Sequence, residues 1–270
     1  MAIEWHVLQV GACRHPEFMA KRGGHLCAVS FPALVGLILH PDHGPLLFDT
    51  GYHPRFFAAT EDFPERFYRW ATPVQYGPDD SLDTQLRGFG LTPGDIRAVV
   101  VSHFHGDHVA GLAAFPQARV FCARAGLERL RAGSRFARVR QGLLSALVPP
   151  DIAATFYEDL PSAALPPEMV PFAAGADLYG DGGLIAVELP GHCPGHWGLW
   201  LPGVLFIGDA AWSLAAITDD APPPAITTSL LGDTATYRRT LADLKALVGK
   251  VEIIPSHCQV TARKWVGHGR

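Results

Sequence analysis

The chain has 270 residues, 22 Lys and Arg against 26 Asp and Glu, a formal net charge of −4, 48% hydrophobic residues and only 18% charged ones. Ordinary globular chains carry about 25% charged residues, so disorder is excluded as the main state. The acidic balance also speaks against a nucleic-acid binder working through a basic face.

The N-terminus, MAIEWHVLQV, has no basic region before an apolar stretch, and the uncharged stretches 26–41 and 191–208 are broken by Gly and Pro. A membrane span needs about 20 apolar residues, so neither a secretory signal nor a span is expected. The five cysteines (Cys13, Cys27, Cys122, Cys193, Cys258) are odd in number and form no CxxC pair. They fit a reducing cytoplasm better than a disulfide framework.

In chain order, 5–10, 33–39 and 45–48 read as strands, the last two joined by the turn Pro41-Asp42-His43-Gly44. Residues 52–80 are aromatic-rich (Phe56, Phe57, Phe63, Phe67, Tyr68, Trp70, Tyr76) and predict short helices and a loop covering something. A short helix over 83–89 precedes a buried strand over 96–101, then helical character over 109–115 and a strand over 119–122. Residues 124–147 carry imperfect helical spacing. Strands follow at 184–189, 197–201 and 204–207. Asp233 reads as an N-cap, with Tyr237, Leu241, Leu244 and Val248 on one helix face. A last strand over 251–254 delivers His257. The pattern predicts an α/β (α+β) fold: a four-layer αββα sandwich, with two facing mixed sheets and helices outside. We read 1–270 as one domain of two pseudo-symmetric halves, roughly 1–125 and 180–270, with a helical insertion between.

His103, His105, Asp107 and His108 fall within six residues, just past the strand over 96–101. An extended chain sends alternate side chains to one side, so His103 and His105 can share one metal ion. Asp107 and His108 come as the chain turns into a helix and can serve a second. Imidazole and carboxylate donors suit zinc, and also iron or manganese.

This His-x-His-x-Asp-His run resembles the signature of the metallo-β-lactamase fold superfamily of metallohydrolases. Asp49-Thr50-Gly51, Gly191-His192-Cys193-Pro194-Gly195-His196, Gly208-Asp209 and His257 match its other motifs in order. The resemblance implies a dinuclear centre. His103, His105 and His192 would hold one divalent ion, and Asp107, His108 and His257 the other. Asp209 would bridge them. Asp107, His108 and Asp209 would also stand closest to the chemistry, the attack of a metal-held hydroxide on a carbonyl. Asp49 and His196 would support the ligands by hydrogen bonds. No role is assigned to His6, His15, His25, His40, His43, His53 or His268, although His25 and His53 lie near segments able to reach the site. Cys193 and Cys258 each follow a proposed ligand histidine and are expected to point away from the metals.

Within the superfamily the layout is most similar to the N-acyl homoserine lactonases. The late histidine lies 13 residues from the end, with no helical extension of the glyoxalase II type after it. That likeness implies a lactone, ester or thioester hydrolase, most simply a dinuclear zinc enzyme. The substrate would be a small carbonyl compound with a hydrophobic part, with no nucleic-acid or membrane partner and a homodimer left open. One departure is Trp212, three residues after Asp209, where the lactonases carry a tyrosine. Its indole offers one N–H and no hydroxyl, and it is expected to shape an apolar pocket. A mononuclear iron persulfide dioxygenase and a non-catalytic ligand-binding member remain alternatives.

Overall fold

The computed structural model describes residues 3–267; His268 lies outside them. Among the described residues the first sheet contains β1 (Glu4–Pro16), β2 (Ala28–His40), β3 (Gly44–Phe48), β4 (Val74–Gln75), β5 (Ala98–Val100), β6 (Arg119–Cys122) and β7 (Ala154–Phe156). The second contains β8 (Ser162–Ala164), β9 (Ala174–Asp177), β10 (Ile185–Glu188), β11 (Trp197–Leu201), β12 (Val204–Gly208) and β13 (Glu252–Pro255). Their orders are β4-β1-β2-β3-β5-β6-β7 and β13-β12-β11-β10-β9-β8. Both sheets are mixed. β1, β2 and β3 pair antiparallel, whereas β3, β5, β6 and β7 run parallel. The second sheet is antiparallel except where β12 meets β13.

The period-2 alternation of side chains divides each strand between two cores. Leu46, Phe48, Ala98 and Val100 face inward, against Val204, Phe206, Leu199 and Ala186 of the other sheet. Their neighbours Leu47, Val99 and Val101 face outward, onto helices carrying Phe56, Leu86, Leu112 and Leu127. Likewise Leu205 and Ile207 face out toward Tyr237, Leu241 and Leu244. Three cores between four layers follow directly, as the strand patterns predict. The sheets meet closely: a Cβ at Gly36 would lie 2.8 Å from the Phe206 ring.

The segment between the two halves is not a helical insertion. It is helical through Arg124–Arg131 and Arg135–Arg140, interrupted at Gly133 with φ 75°. β7, β8 and β9 then extend both sheets. These strands are three or four residues long and built partly of Ala and Ser, so they carry no β-branched pattern for a sequence reading to find. Val248 is likewise 46% exposed, and Leu247 takes its place in the core. The helix Thr234–Lys245 ends before either, which shifts the register of the last turn. Asp233 does cap that helix, accepting the Thr236 amide at 2.7 Å. A further helix, Gln259–Trp265, follows the last strand, beyond the elements that the sequence pattern predicts.

Candidate metal centre

Four chain segments reach one place, each at the carboxyl end of a strand. After β5 the chain stays extended. Phe104 enters the core at 2% exposure, so His103 and His105 point to the opposite side. The helix Gly106–Val109 then starts and brings Asp107 and His108 into its first turn. His192 follows β10 and His257 follows β13. Asp209 follows β12 through Gly208, whose φ of 52° turns the chain into the site; a Cβ there would lie 2.9 Å from His196 Nε2.

Three donor groups result: His103, His105, His192 and Cys193; His103, His108 and Asp209; and Asp107, His108 and His257. Within each, all donor atoms lie within 4.8 Å of one another. Asp209 stands between two donor sets, His103, His105 and His192 on one side and Asp107, His108 and His257 on the other. Its Oδ2 is 3.4 Å from His192 Nε2 and 4.0 Å from His103 Nε2, while its Oδ1 is 3.3 Å from His108 Nε2 and 3.1 Å from His257 Nε2. Asp107 Oδ2 is 3.2 Å from His257 Nε2.

The ring nitrogens facing away from this centre are tied down. His108 Nδ1 donates to Asp49 Oδ2 at 2.7 Å and His257 Nδ1 to the Pro32 carbonyl at 2.7 Å. His103 Nδ1 lies 2.9 Å from Ser102 Oγ, which itself donates to Asp49 Oδ2 at 2.7 Å. His105 meets the Gln141 carbonyl. Such bonds fix tautomer and ring orientation, so the other nitrogen of each ring presents its lone pair inward. Asp49 adopts φ 64°, a left-handed conformation that Asp tolerates better than most residues. It also accepts the Ser102 amide at 2.8 Å. His196 uses both nitrogens on the backbone, donating from Nδ1 to the Leu189 carbonyl at 3.0 Å and accepting the Asp209 amide at Nε2 at 3.0 Å. It has no lone pair left for a metal and instead fixes the backbone of Asp209.

The electrostatics divide the same way. Burial holds His103 and His192 well below the ordinary imidazole range and His105 at about 4. His108 is pushed up to about 10 against its burial by Asp209, Asp49 and Asp107; His257 is raised by Asp209 and Asp107 against the same burial. Burial would raise Asp107 and Asp209, but the neighbouring His108 and His257 hold both carboxyls well below their usual range. Two ionised carboxylates held by two imidazolium protons form a charge pattern in which dications can replace the protons. His103 Nε2, His108 Nε2 and Asp209 Oδ1 are buried without a hydrogen bond among the described residues. All three face the same centre, so the donor set fits a pair of divalent metal ions.

A cavity of about 410 Å³ opens onto this centre. His105, Asp107, His192, Asp209, Trp212 and His257 line its floor, and Met19, Phe31, Phe67, Tyr68, Val139, Leu230 and Leu231 are among its wall residues. Trp212 lines it, but its indole N–H donates to Asp209 Oδ2 at 2.9 Å, so its ring offers an apolar face. Tyr68 was not singled out by the sequence beyond its place in the aromatic segment. Its ring packs edge-on against Phe56 at 5.5 Å, and a Cβ at Gly106 would lie 3.1 Å from it. Its oxygen meets the Gly106 amide. Burial, then the Asp107 carboxylate, pushes the phenol well above its ordinary value, so it remains a donor at neutral pH. His15, given no role above, also lines the cavity. His53 instead caps the helix Pro54–Ala59 by accepting the Arg55 amide at 3.2 Å, and His25 is exposed. Cys193 does not point away. Residues 192–195 form a bend rather than a strand, so successive side chains do not alternate, and its sulfur joins the first trio. Cys258 takes the Leu214 amide at 3.5 Å and belongs to none of the three groups.

Residues 30–257 match the family model described as Metallo-beta-lactamase superfamily. The chain is 27% identical over 195 residues to the N-acyl homoserine lactonase AttM of Azorhizobium caulinodans, covering 66% of this chain and 64% of that protein. It is 25% identical over 190 residues to an N-acyl homoserine lactonase of Bacillus cereus, covering 68% and 66%. The chain thus spans just under two thirds of the length of these relatives. In fold it resembles an N-acyl homoserine lactone hydrolase solved with N-hexanoyl-L-homoserine at its catalytic metal center, with TM-score 0.74, 19% identity, and 98% and 97% of the two chains covered. It also resembles the dizinc lactonase AidC, with TM-score 0.60, 18% identity, and 95% and 88% covered. The match across most of its length and its four-layer architecture show that the chain belongs to the metallo-beta-lactamase superfamily.

Proposed function

We propose that this protein is a dinuclear metallohydrolase that opens a lactone or related ester whose acyl part is apolar. The observation that carries this reading is Asp209, with one oxygen turned to each donor trio at the floor of an apolar cavity. His103, His105 and His192 would hold one ion, Asp107, His108 and His257 the other, with Asp209 shared. Zinc fits these nitrogen and oxygen donors best, with iron or manganese as substitutes. Bound there, two divalent ions supply a hydroxide from water near neutral pH and polarise a carbonyl oxygen.

The chain's own residues then divide the work. Asp107 and Asp209 are the carboxylates lining the cavity, and Asp209 Oδ2 is engaged by Trp212. Asp107 is therefore the group placed to take the proton of the attacking water and return it to the leaving oxygen. Trp212 has no N–H to spare for substrate. Tyr68 supplies the hydroxyl that orients the ester oxygen, and Asp49 and His196 keep the donors in register. Phe67, Val139, Leu230 and Leu231 receive the acyl chain. Support for this substrate class comes from the named activities of the relatives above. Five free cysteines fit a reducing compartment such as the cytoplasm, and among the described residues no helix is long and apolar enough to cross a membrane.

The test is a panel of N-acyl homoserine lactones, simple lactones, thioesters and phosphodiesters offered to zinc-loaded protein. The expected result is turnover of lactones that improves with acyl length. Turnover confined to phosphodiesters, or none on any carbonyl substrate, would overturn the reading.

A further inference from the structure

We propose that Cys193 Sγ is a further protein donor, beside the shared Asp209, to the metal position formed by His103, His105 and His192. The proposal rests on the reading that these imidazoles bind a metal ion. Sγ belongs to the same group as the three rings, all donor atoms within 4.8 Å of one another. His103 Nε2, buried without a hydrogen bond, is aimed at the same point.

The backbone of the bend is held in place on both sides of the cysteine. Gly191 (φ 122°) and Gly195 (φ 72°) bracket the bend. A Cβ at Gly191 would lie 2.3 Å from the Tyr237 amide nitrogen, and one at Gly195 would lie 2.5 Å from that of Gly126. The bend is thus pressed between the helices Thr234–Lys245 and Arg124–Arg131, with His192 and Cys193 at its tip. Among the described residues no other cysteine joins a group of metal donors.

On coordination the thiol gives its proton to solvent and a sulfur–metal bond forms, with no change of oxidation state. A coordinating thiol is deprotonated outright. Three nitrogens and a sulfur make a softer donor set than Asp107, His108 and His257, and such a set favours zinc or cobalt over manganese. The two metal positions should therefore differ in preference, the sulfur-containing one rejecting manganese.

Cobalt(II) reconstitution of the full chain provides the test. The wild type and Cys258→Ser should both show visible cobalt bands together with a near-ultraviolet thiolate-to-cobalt charge-transfer band. Cys193→Ser should lose the charge-transfer band and keep the visible ones. Visible bands without charge transfer in the wild type, or charge transfer that survives in Cys193→Ser, would overturn the proposal while leaving the metal reading intact. No cobalt uptake at all would overturn both. Should Cys193→Ser fail to fold, alkylation of the wild type decides. Zinc should protect Cys193 but not the exposed Cys27, and equal alkylation of Cys193 with and without zinc contradicts the assignment.

Discussion

At the floor of the cleft, the metal donors follow strands of two sheets, and most of their rings are fixed by a hydrogen bond to a neighbouring carbonyl or carboxylate. At the wall, the side chains come from short helices, Arg66–Ala71, Arg135–Arg140 and Ala225–Leu231, and Phe67 and Leu230 remain 45% and 51% exposed. The floor is rigid, polar and closely specified, because misplaced lone pairs and buried charges are costly. The wall is apolar and loosely specified, because van der Waals contact with a flexible chain tolerates many arrangements. Chemistry should therefore depend on the floor for every substrate, and selectivity on the wall.

The largest effect should come from Asp209→Ala. Without the shared carboxylate, turnover on all carbonyl substrates is lost and bound metal, read by elemental analysis, falls. A variant that keeps both metal content and turnover would break the division between floor and wall. Asp49→Ala removes the acceptor of His108 Nδ1 and the Ser102 hydroxyl. It should weaken metal binding by about 10–100-fold, and excess zinc should restore much of the rate. Tyr68→Phe tests whether one wall residue takes part in the chemistry. We expect kcat to fall about 100-fold, in the range of a lost proton or hydrogen-bond donor, with metal content unchanged. Leu230→Ser should have the smallest effect. KM should rise about tenfold for long-acyl lactones and hardly at all for short ones, as expected for an apolar pocket contact.

A pH measurement sharpens the difference between the two trios. In the metal-free chain His108, at about 10, and the raised His257 carry protons at pH 7, whereas His105, at about 4, and its partners His103 and His192 do not. The stability that the raised imidazoles contribute is full below the unfolded value of about 6.5 and is lost as pH rises toward 10. The neutral trio acts with the opposite sign, favouring the fold above about 6.5 and losing that contribution as pH falls toward 4. Metal-free protein should therefore melt highest near pH 6.5, and zinc binding at pH 7 should release protons. A melting temperature flat across pH 4–10 would contradict this charge assignment.

The same contrast explains what was legible in the sequence. The donors sit in short motifs right after strands, so His103 through His108 could be read from their spacing, whereas His192, Asp209 and His257 were placed by the resemblance of their motifs to the superfamily signature. Their convergence depended on two sheets facing one another, which the repetition of apolar strands in both halves, 46–48 and 98–101 in one and 204–207 in the other, already suggests, their residues filling cores on both faces. Tyr68 and His15 could not be placed. They reach the cavity through the packing of a short helix and a strand end, and no periodicity marks that. Cys193 departs from the expectation because Gly191 and Gly195 bend its segment, where the side-chain alternation of an extended chain does not hold.

The account stands or falls on the dinuclear floor. The most direct measurement is lactone hydrolysis by metal-free protein as zinc is returned stepwise, with bound metal counted at each step. The account predicts activity that climbs to a plateau at two zinc ions per chain. A plateau at one ion, or hydrolysis undiminished in metal-free protein, would contradict it.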